Sequence, residues 1–443
     1  MLNFDINVKN ILDKTIFLCF LLYCMTFLFD ESIGYFFVRI AFILGIIKFV
    51  QYRDVYFSLI ILNKYLKPFL IFEGIILLLL LFHGLEYSSV SQYERLMKIM
   101  IPFVAGLLFI SDKKQIVWMI SILFLSFIIN DIYSIYDYFF QNNLRTYGIN
   151  MGTLYFAGIL LLQVPILLCA LNIKKISRIK KYIIWGILFL TVVTIFTNGS
   201  RMTWFITIID IIVIILFLIE SKIKKIAIIF SLIISIVISY NINTNINQKV
   251  NFLFDTNNIS TRGHYFYLRD GFNLFLEHKV IGVGLNNFKE QILNDNLVSE
   301  ESITNLKKDL HEKIDDKYVM SHAHNDLVMF LSELGVLGGF IYIYLFGSIL
   351  IYTFSNWQTS KDIWSLSIFL ITINVLIRGL SDYNFANIGV MSLYFFIYSL
   401  YLRYTFLSSN KNREKIKSKY IIFIYGAILF VILLRIISRY VIN

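Results

Sequence analysis

The sequence predicts an all-α, polytopic membrane protein with about twelve to thirteen transmembrane helices and one large extracytoplasmic loop. Three observations carry that expectation. Of the 443 residues, 58% are hydrophobic and only 16% are charged, where soluble domains carry about 25% charged residues. Apolar runs long enough to cross a bilayer recur along nearly the whole chain, which holds only three prolines to interrupt them. The basic residues gather in short connections on alternate sides of those runs, the pattern that orients membrane helices.

Taken in order, the candidate spans are 12–29, 33–50, 67–83, 96–110, 116–139, 151–171, 182–198, 202–219, 226–241, 325–353, 362–380, 385–407 and 419–440. The first run, Thr15 to Phe29, leads into Asp30 and Glu31 and not into a small-residue cleavage site, so no cleavable signal is read there. Cys19, Cys24 and Cys169 all fall inside apolar runs and read as small buried hydrophobes. Lys174, Lys175, Arg178, Lys180 and Lys181 form one basic loop; Lys222, Lys224 and Lys225 form a second; Lys411, Arg413, Lys415, Lys417 and Lys419 form a third. Placing these inside puts Arg53, Lys64, Lys67, Lys113 and Lys114 inside as well, and leaves few basic residues outside: Arg95, Lys98, Arg145 and Arg201. The N-terminus is then cytoplasmic. The net charge of +11 is accounted for by these loops, so no nucleic-acid partner is expected.

The chain divides into N-terminal helices (1–241), a large outer loop (242–324) and C-terminal helices (325–443). A loop of that length is usually functional or disordered. Here it shows order: Arg262 to Glu277 has helical periodicity, with Phe266, Leu268, Phe272, Phe275 and Leu276 as its apolar members. Lys279 to Phe288 is a glycine-punctuated turn, and Ser302 to Asp316 reads as a charged, solvated helix.

Candidate chemistry collects at the outer surface. Arg201, in "TNGSR", is held at the membrane boundary by a short hairpin; its guanidinium suits a phosphate, and it equally suits a topological anchor. Arg262 and Arg269 share a face of the loop helix and could join it in clamping a pyrophosphate, or could pair with Asp270 and Glu277; His264 lies close by. In "SHAHNDLVMFLSELG", His322 and His324 precede a long apolar run that Asn325 and Asp326 are placed to cap. A histidine at that surface can serve as a general base, though a zinc pair completed by Asp326 or a simple interfacial histidine are the alternatives. Asp210, Glu333 and Arg378 lie within apolar runs, where a charge is costly. Such charges are functional candidates by default; Glu333 and Arg378 could instead simply pair and hold helices together, and no partner is read for Asp210.

These segments resemble the O-antigen ligase and O-antigen polymerase superfamily of membrane glycosyltransferases over about residues 140–400. The likeness rests on "TNGSR", on "TRGHYFYLRDGFNLFLEHKVIGVGLNNF", on "HAHNDLVMFLSELGVLGG" with its H-x10-G spacing from His324 to Gly335, and on "RGLSDYNF". The resemblance implies a GT-C-like helical fold. It implies transfer of a glycan from a polyprenyl-pyrophosphate carrier, in the bilayer of the bacterial inner membrane and on its periplasmic face, with no cofactor, no metal and no nucleotide sugar. A ligase would use lipid A–core as acceptor and a polymerase a carrier-linked repeat unit. The family's functional positions correspond to Arg201, Arg262 and His324, with Arg269, His264, His322, Asn325 and Arg378 as companions in substrate binding. Attack opposite the leaving group would invert the anomeric centre. Residues 419–440 exceed the twelve spans usual for the ligases. The rival from another class is a transporter of lipid-linked glycans, but the polar cluster lies at the surface, away from the midplane, and no internal repeat is visible.

Overall fold

The computed structural model describes residues 2–52, 66–219, 221–226, 259–300, 303, 313–314, 317–318 and 322–408, apart from 142, 144, 174–175 and 224. All but the first residue of span 226–241, and the whole of span 419–440, lie outside the described residues. The remaining eleven candidate spans coincide with helices: α1 (Leu2–Thr26), α2 (Glu31–Tyr52), α3 (Lys67–His83), α4 (Tyr87–Phe109), α5 (Lys113–Phe140), α6 (Thr153–Ala170), α7 (Arg178–Asn198), α8 (Arg201–Leu218), α11 (Asp326–Ser360), α12 (Ile363–Gly379) and α13 (Ile388–Ser408). Two more, α9 (Ile259–Glu277) and α10 (Phe288–Asn294), belong to the large loop. Seven of the helices are long and apolar enough to cross a membrane, and the shorter α12 is apolar as well. Large apolar side chains stay exposed along them, among them Phe36, Phe139, Phe189, Phe205 and Ile351, as a lipid-facing surface requires. This is a multi-pass membrane protein.

The core is aromatic. Phe103 of α4 stacks on Tyr398 of α13 with ring centroids 6.0 Å apart. At the far end of the same pair Arg403 donates from Nε to the carbonyl of Ile110 at 2.6 Å. Buried carboxylates find amide and hydroxyl partners: Asp210 of α8 accepts from Asn374 of α12 at 2.8 Å, and Asp131 of α5 accepts from Gln163 of α6 at 2.9 Å and from the Thr191 hydroxyl of α7 at 3.0 Å. Such bonds fasten helices that have no hydrophobic drive to associate within lipid.

One helix reverses direction. In α11, Gly335 has φ 64° and ψ −160°, a conformation that a β-carbon opposes. Tyr342 reaches back to donate to Asp326 Oδ2 at 3.4 Å, and its ring lies 5.4 Å from that of Phe330. In a straight helix residues sixteen apart would be about 24 Å distant. Residues 326–334 therefore form a short arm that folds back along 336–360, which corrects the expectation of a straight tenth span from residue 325. The glycine turn of the loop packs against this reversal. Val283 N–H donates to the Ser332 carbonyl at 3.0 Å, Gly284 N–H to that of Glu333 at 2.8 Å, and Val336 N–H to that of Lys279 at 2.8 Å. A β-carbon on Gly335 would press into the Val280 carbonyl.

Three further expectations change. Glu333 does not pair with Arg378; its carboxylate accepts the Asn286 N–H at 2.9 Å and so pins the same turn. The helix expected over Ser302 to Asp316 gives way at its end to a two-residue antiparallel pair, Lys313–Ile314 with Lys317–Tyr318, and residues 304–312 lie outside the described residues. The buried stripe of α9 is Gly263, Tyr267, Asp270, Gly271 and Leu274, whereas Phe272 and Leu276 are exposed.

Candidate functional site

The site forms where four connections meet at one end of the bundle. The hairpin "TNGSR" builds its first corner. Asn198 donates its amide to the carbonyls of Thr146 at 2.8 Å and Thr153 at 3.1 Å. Gly199, left-handed at φ 67°, ends α7, and the Ser200 hydroxyl caps α8 by accepting from the Thr203 N–H. Arg201 is thus the first residue of a helix whose free N–H groups already favour an anion. Its side chain is half-buried and close enough to Arg145 for the two cations to repel. The N-terminus of α8 and the two cations near it make this corner electropositive.

The second corner is "SHAHND". His324 sits at φ 50°, a region that residues other than glycine enter at a cost of about 1–3 kcal/mol and that recurs at functional sites. Asn325 caps α11 as expected, accepting from the Val328 N–H at 2.9 Å, and it donates to the Leu380 carbonyl at 3.1 Å. Asp326 is not a second cap. It is fully buried and accepts from the Asn384 backbone at 2.7 Å and side chain at 2.8 Å, locking the arm to the "RGLSDYNF" segment.

That segment supplies the third corner and Asp382, a residue whose importance shows only in the folded chain. Asp382 lies 3.8 Å from His322 Nε2 and 3.8 Å from His324 Nδ1 through the same oxygen. Its other oxygen receives Arg378 Nη2 at 3.2 Å. Arg378 also donates to Asn384 at 2.8 Å and to the Leu154 carbonyl at 3.1 Å, so it is a fixed support with its donors committed. Burial pushes the Asp382 carboxyl up, but His322, Arg378 and His324 together outweigh burial and hold it well below the usual carboxylate range. The two histidine contacts are electrostatic, being longer than a hydrogen bond. The visible signal for Asp382 was an acid four residues after an arginine at a helix end.

The loop helix α9 closes the site. His264 lies edge-on to His324 with centroids 4.7 Å apart, Tyr267 stacks on His324 at 5.4 Å, and His322 is 4.1 Å from His324. Burial lowers the basicity of His264; Asp382 opposes this, while Arg201 and His322 add to it. The three histidines and Asp382 thus form one cluster, and the charge of Arg201 reaches His264 from its edge. Arg269 does not join them: it contacts Asp270 at 3.2 Å and lies over the Phe266 ring at 5.2 Å, which favours the expected alternative of an ion pair on α9. Arg262 belongs to the same helix, but its side chain lies outside the described residues.

His322, His324 and Asp382 place their ligand atoms within 4.8 Å of one another, a spacing that could hold a metal ion. The surroundings argue otherwise. Arg378, bonded to the other Asp382 oxygen, and Arg201 both add positive charge that works against a dication. The arrangement suits a ligand that is anionic on the Arg201 side and has a proton to give on the histidine side.

No curated protein matches the chain significantly. Residues 186–343, which run from α7 through α8 and α9 into α11, match the family profile described as O-antigen ligase. This stretch, about a third of the chain, contains Arg201, His264, His322 and His324 and is what the chain has in common with that family.

Proposed function

We propose that this protein is an integral-membrane, inverting glycosyltransferase. In this reading it moves a glycan from a polyprenyl-pyrophosphate carrier to a sugar hydroxyl on the extracytoplasmic face of the bacterial inner membrane. The reaction asks for two things at one place: a base for the acceptor hydroxyl and fixed positive charge for the departing pyrophosphate. The observation that carries the reading is the joining of His324 to Asp382 and Arg378 on one side, with Arg201 at the α8 N-terminus on the other.

The acceptor oxygen attacks the anomeric carbon and its proton passes to His324. The bond from that carbon to the pyrophosphate oxygen breaks, and its electron pair leaves on the phosphate. Arg201 and the first N–H groups of α8 stabilise the charge as it develops, at a boundary where water screens little. Asp382 holds His324 in orientation and stabilises the imidazolium once formed. This scheme needs neither metal nor nucleotide. The apolar flanks of the bundle leave the isoprenoid tail in the bilayer while its head reaches the site.

Among acceptors, lipid A–core is the one we assign, because the matching family is described as O-antigen ligase. The test is to delete the gene in its host, complement with wild type or His324→Ala, and resolve surface and carrier-linked glycans by gel. Long polymer left on the carrier with bare lipid A–core supports a ligase. A single repeat unit on lipid A–core makes the protein a polymerase, and undecorated carrier-linked units accumulating on the cytoplasmic side make it a transporter. Full restoration by His324→Ala removes the base from the scheme.

A further inference from the structure

An open hollow with mixed polar and apolar lining lies away from the histidine cluster. It has a volume of about 460 Å³ and is lined by His83, Glu277, His278, Lys279, Gln291 and the largely apolar 280–283 turn. That size falls in the range of about 300–1,000 Å³ typical of small-ligand sites. Its walls are fixed. Asp295 receives His278 Nε2 at 2.7 Å on one oxygen and Gln291 Nε2 at 2.8 Å on the other. The His83 ring is held by the Ile281 carbonyl at 3.0 Å. The turn beneath is anchored to the reversal of α11 by Val283, Gly284 and Val336.

The chemistry of the lining selects the ligand. Glu277 brings an acceptor with negative charge and Lys279 a donor with positive charge, so neither an anion nor a cation is favoured overall. With Asp295 holding the amide nitrogen of Gln291 and one nitrogen of His278, the amide oxygen and the other ring nitrogen remain to meet a ligand. Acceptors and donors in balance, rigidly held, match a neutral molecule dense in hydroxyl groups. Position completes the argument. Glu277 and His264 are at opposite ends of α9, about 20 Å apart along its axis, which puts the cavity several sugar rings from the reacting bond.

We infer that this cavity is a distal saccharide subsite, which grips sugar units of a long glycan while its reacting end lies at His324. The inference rests on the glycosyltransferase reading for its substrate, and it rests on the cavity for its place. Holding the chain at two points orders it before reaction, so selection for long chains comes from binding and not from the chemical step.

The experiment uses the full-length protein in lipid nanodiscs. Carrier-linked glycan from the host is separated into single-unit and many-unit fractions, and glycan released from the carrier serves as the binding probe in saturation-transfer NMR. For Glu277→Ala and Gln291→Ala, KM for the many-unit fraction rises about tenfold, since each removes a hydrogen bond. The single-unit KM and both kcat values stay as in wild type, and the NMR contact of released glycan weakens. Equal effects on both fractions, or an unchanged NMR contact in both variants, overturn the subsite. If wild type binds released glycan through Glu277 and Gln291 yet transfers none from the carrier, the subsite stands and the glycosyltransferase reading falls.

Discussion

The polar groups in the middle of the bundle and those at its site end obey the same physics with opposite results. In mid-bundle, Asp210 meets the Asn374 amide at 2.8 Å and Asp131 meets Gln163 and Thr191 at 2.9 and 3.0 Å. These are short bonds to neutral partners that join helix to helix. At the site end, Asp382 faces an arginine at 3.2 Å and two histidines at 3.8 Å, and one of those histidines sits on a left-handed backbone. The first arrangement is fully buried, each carboxylate bonded through one oxygen to a neutral group on a neighbouring helix. The second is charged, partly accessible and held at distances that a substrate can tighten. A costly intramembrane charge is therefore a weaker guide to function than the kind of partner it keeps.

Substitutions sharpen this contrast, beginning with the largest effect. Replacing His324 with alanine removes the proposed base and lowers kcat about 10²–10⁴-fold. Arg201→Ala lowers it about 10²–10³-fold, because a fixed charge is lost where negative charge develops; Arg201→Lys recovers only part, a point charge replacing a planar fork. Both are read from glycan transfer by purified protein.

Asp382→Asn comes next. With its partner carboxylate neutral, His324 loses orientation and imidazolium stabilisation, and kcat falls about tenfold or more. The variant also carries a pH signature that a packing role would not give. The Asp382 carboxyl is held below its unfolded range, so its stabilisation is fully present above the normal carboxylate pKa and is lost as pH falls through the depressed folded value. Wild type therefore loses melting temperature on acidification below about pH 4, and Asp382→Asn, which lacks the titrating group, loses less across the same window.

Gly335→Ala tests the reversal of α11. A β-carbon there meets the Val280 carbonyl at a positive φ, at a cost of about 1–3 kcal/mol read from thermal melting. KM rises with it, since the arm 326–334 carries the residues next to His324. Asp210→Asn has the smallest effect: the new amide can still bond Asn374, and transfer stays within about twofold of wild type. A large loss of transfer there would erase the distinction between the two regions.

Much of this architecture was legible in the sequence, because the bilayer imposes length and hydrophobicity on each span. The α9 helix and the Asn325 cap followed from periodicity and residue type. His322, His324, His264 and Arg201 stand out by residue type and by their place at span ends or in the outer loop, and in the structure the three histidine rings pack together. What escaped depends on contacts between distant segments. The fold-back at Gly335 is invisible in an apolar run, since both arms are equally hydrophobic. Asp382 gains its meaning only when "RGLSDYNF" meets "SHAHND". The partner of Glu333 is a backbone N–H at Asn286, and backbone donors leave no mark in residue types. Arg269 has the right charge and spacing for the cluster, but Asp270 and Phe266 hold it locally.

The most direct measurement is the pH–rate profile of glycan transfer by the purified protein, with polyprenyl pyrophosphate release followed alongside. Wild type should release one pyrophosphate for each glycosidic bond formed, with a rate that rises through the range in which an imidazole loses its proton. His324→Ala should lose both that inflection and the rate. An unchanged profile in His324→Ala, or glycan transfer without pyrophosphate release, would contradict the account.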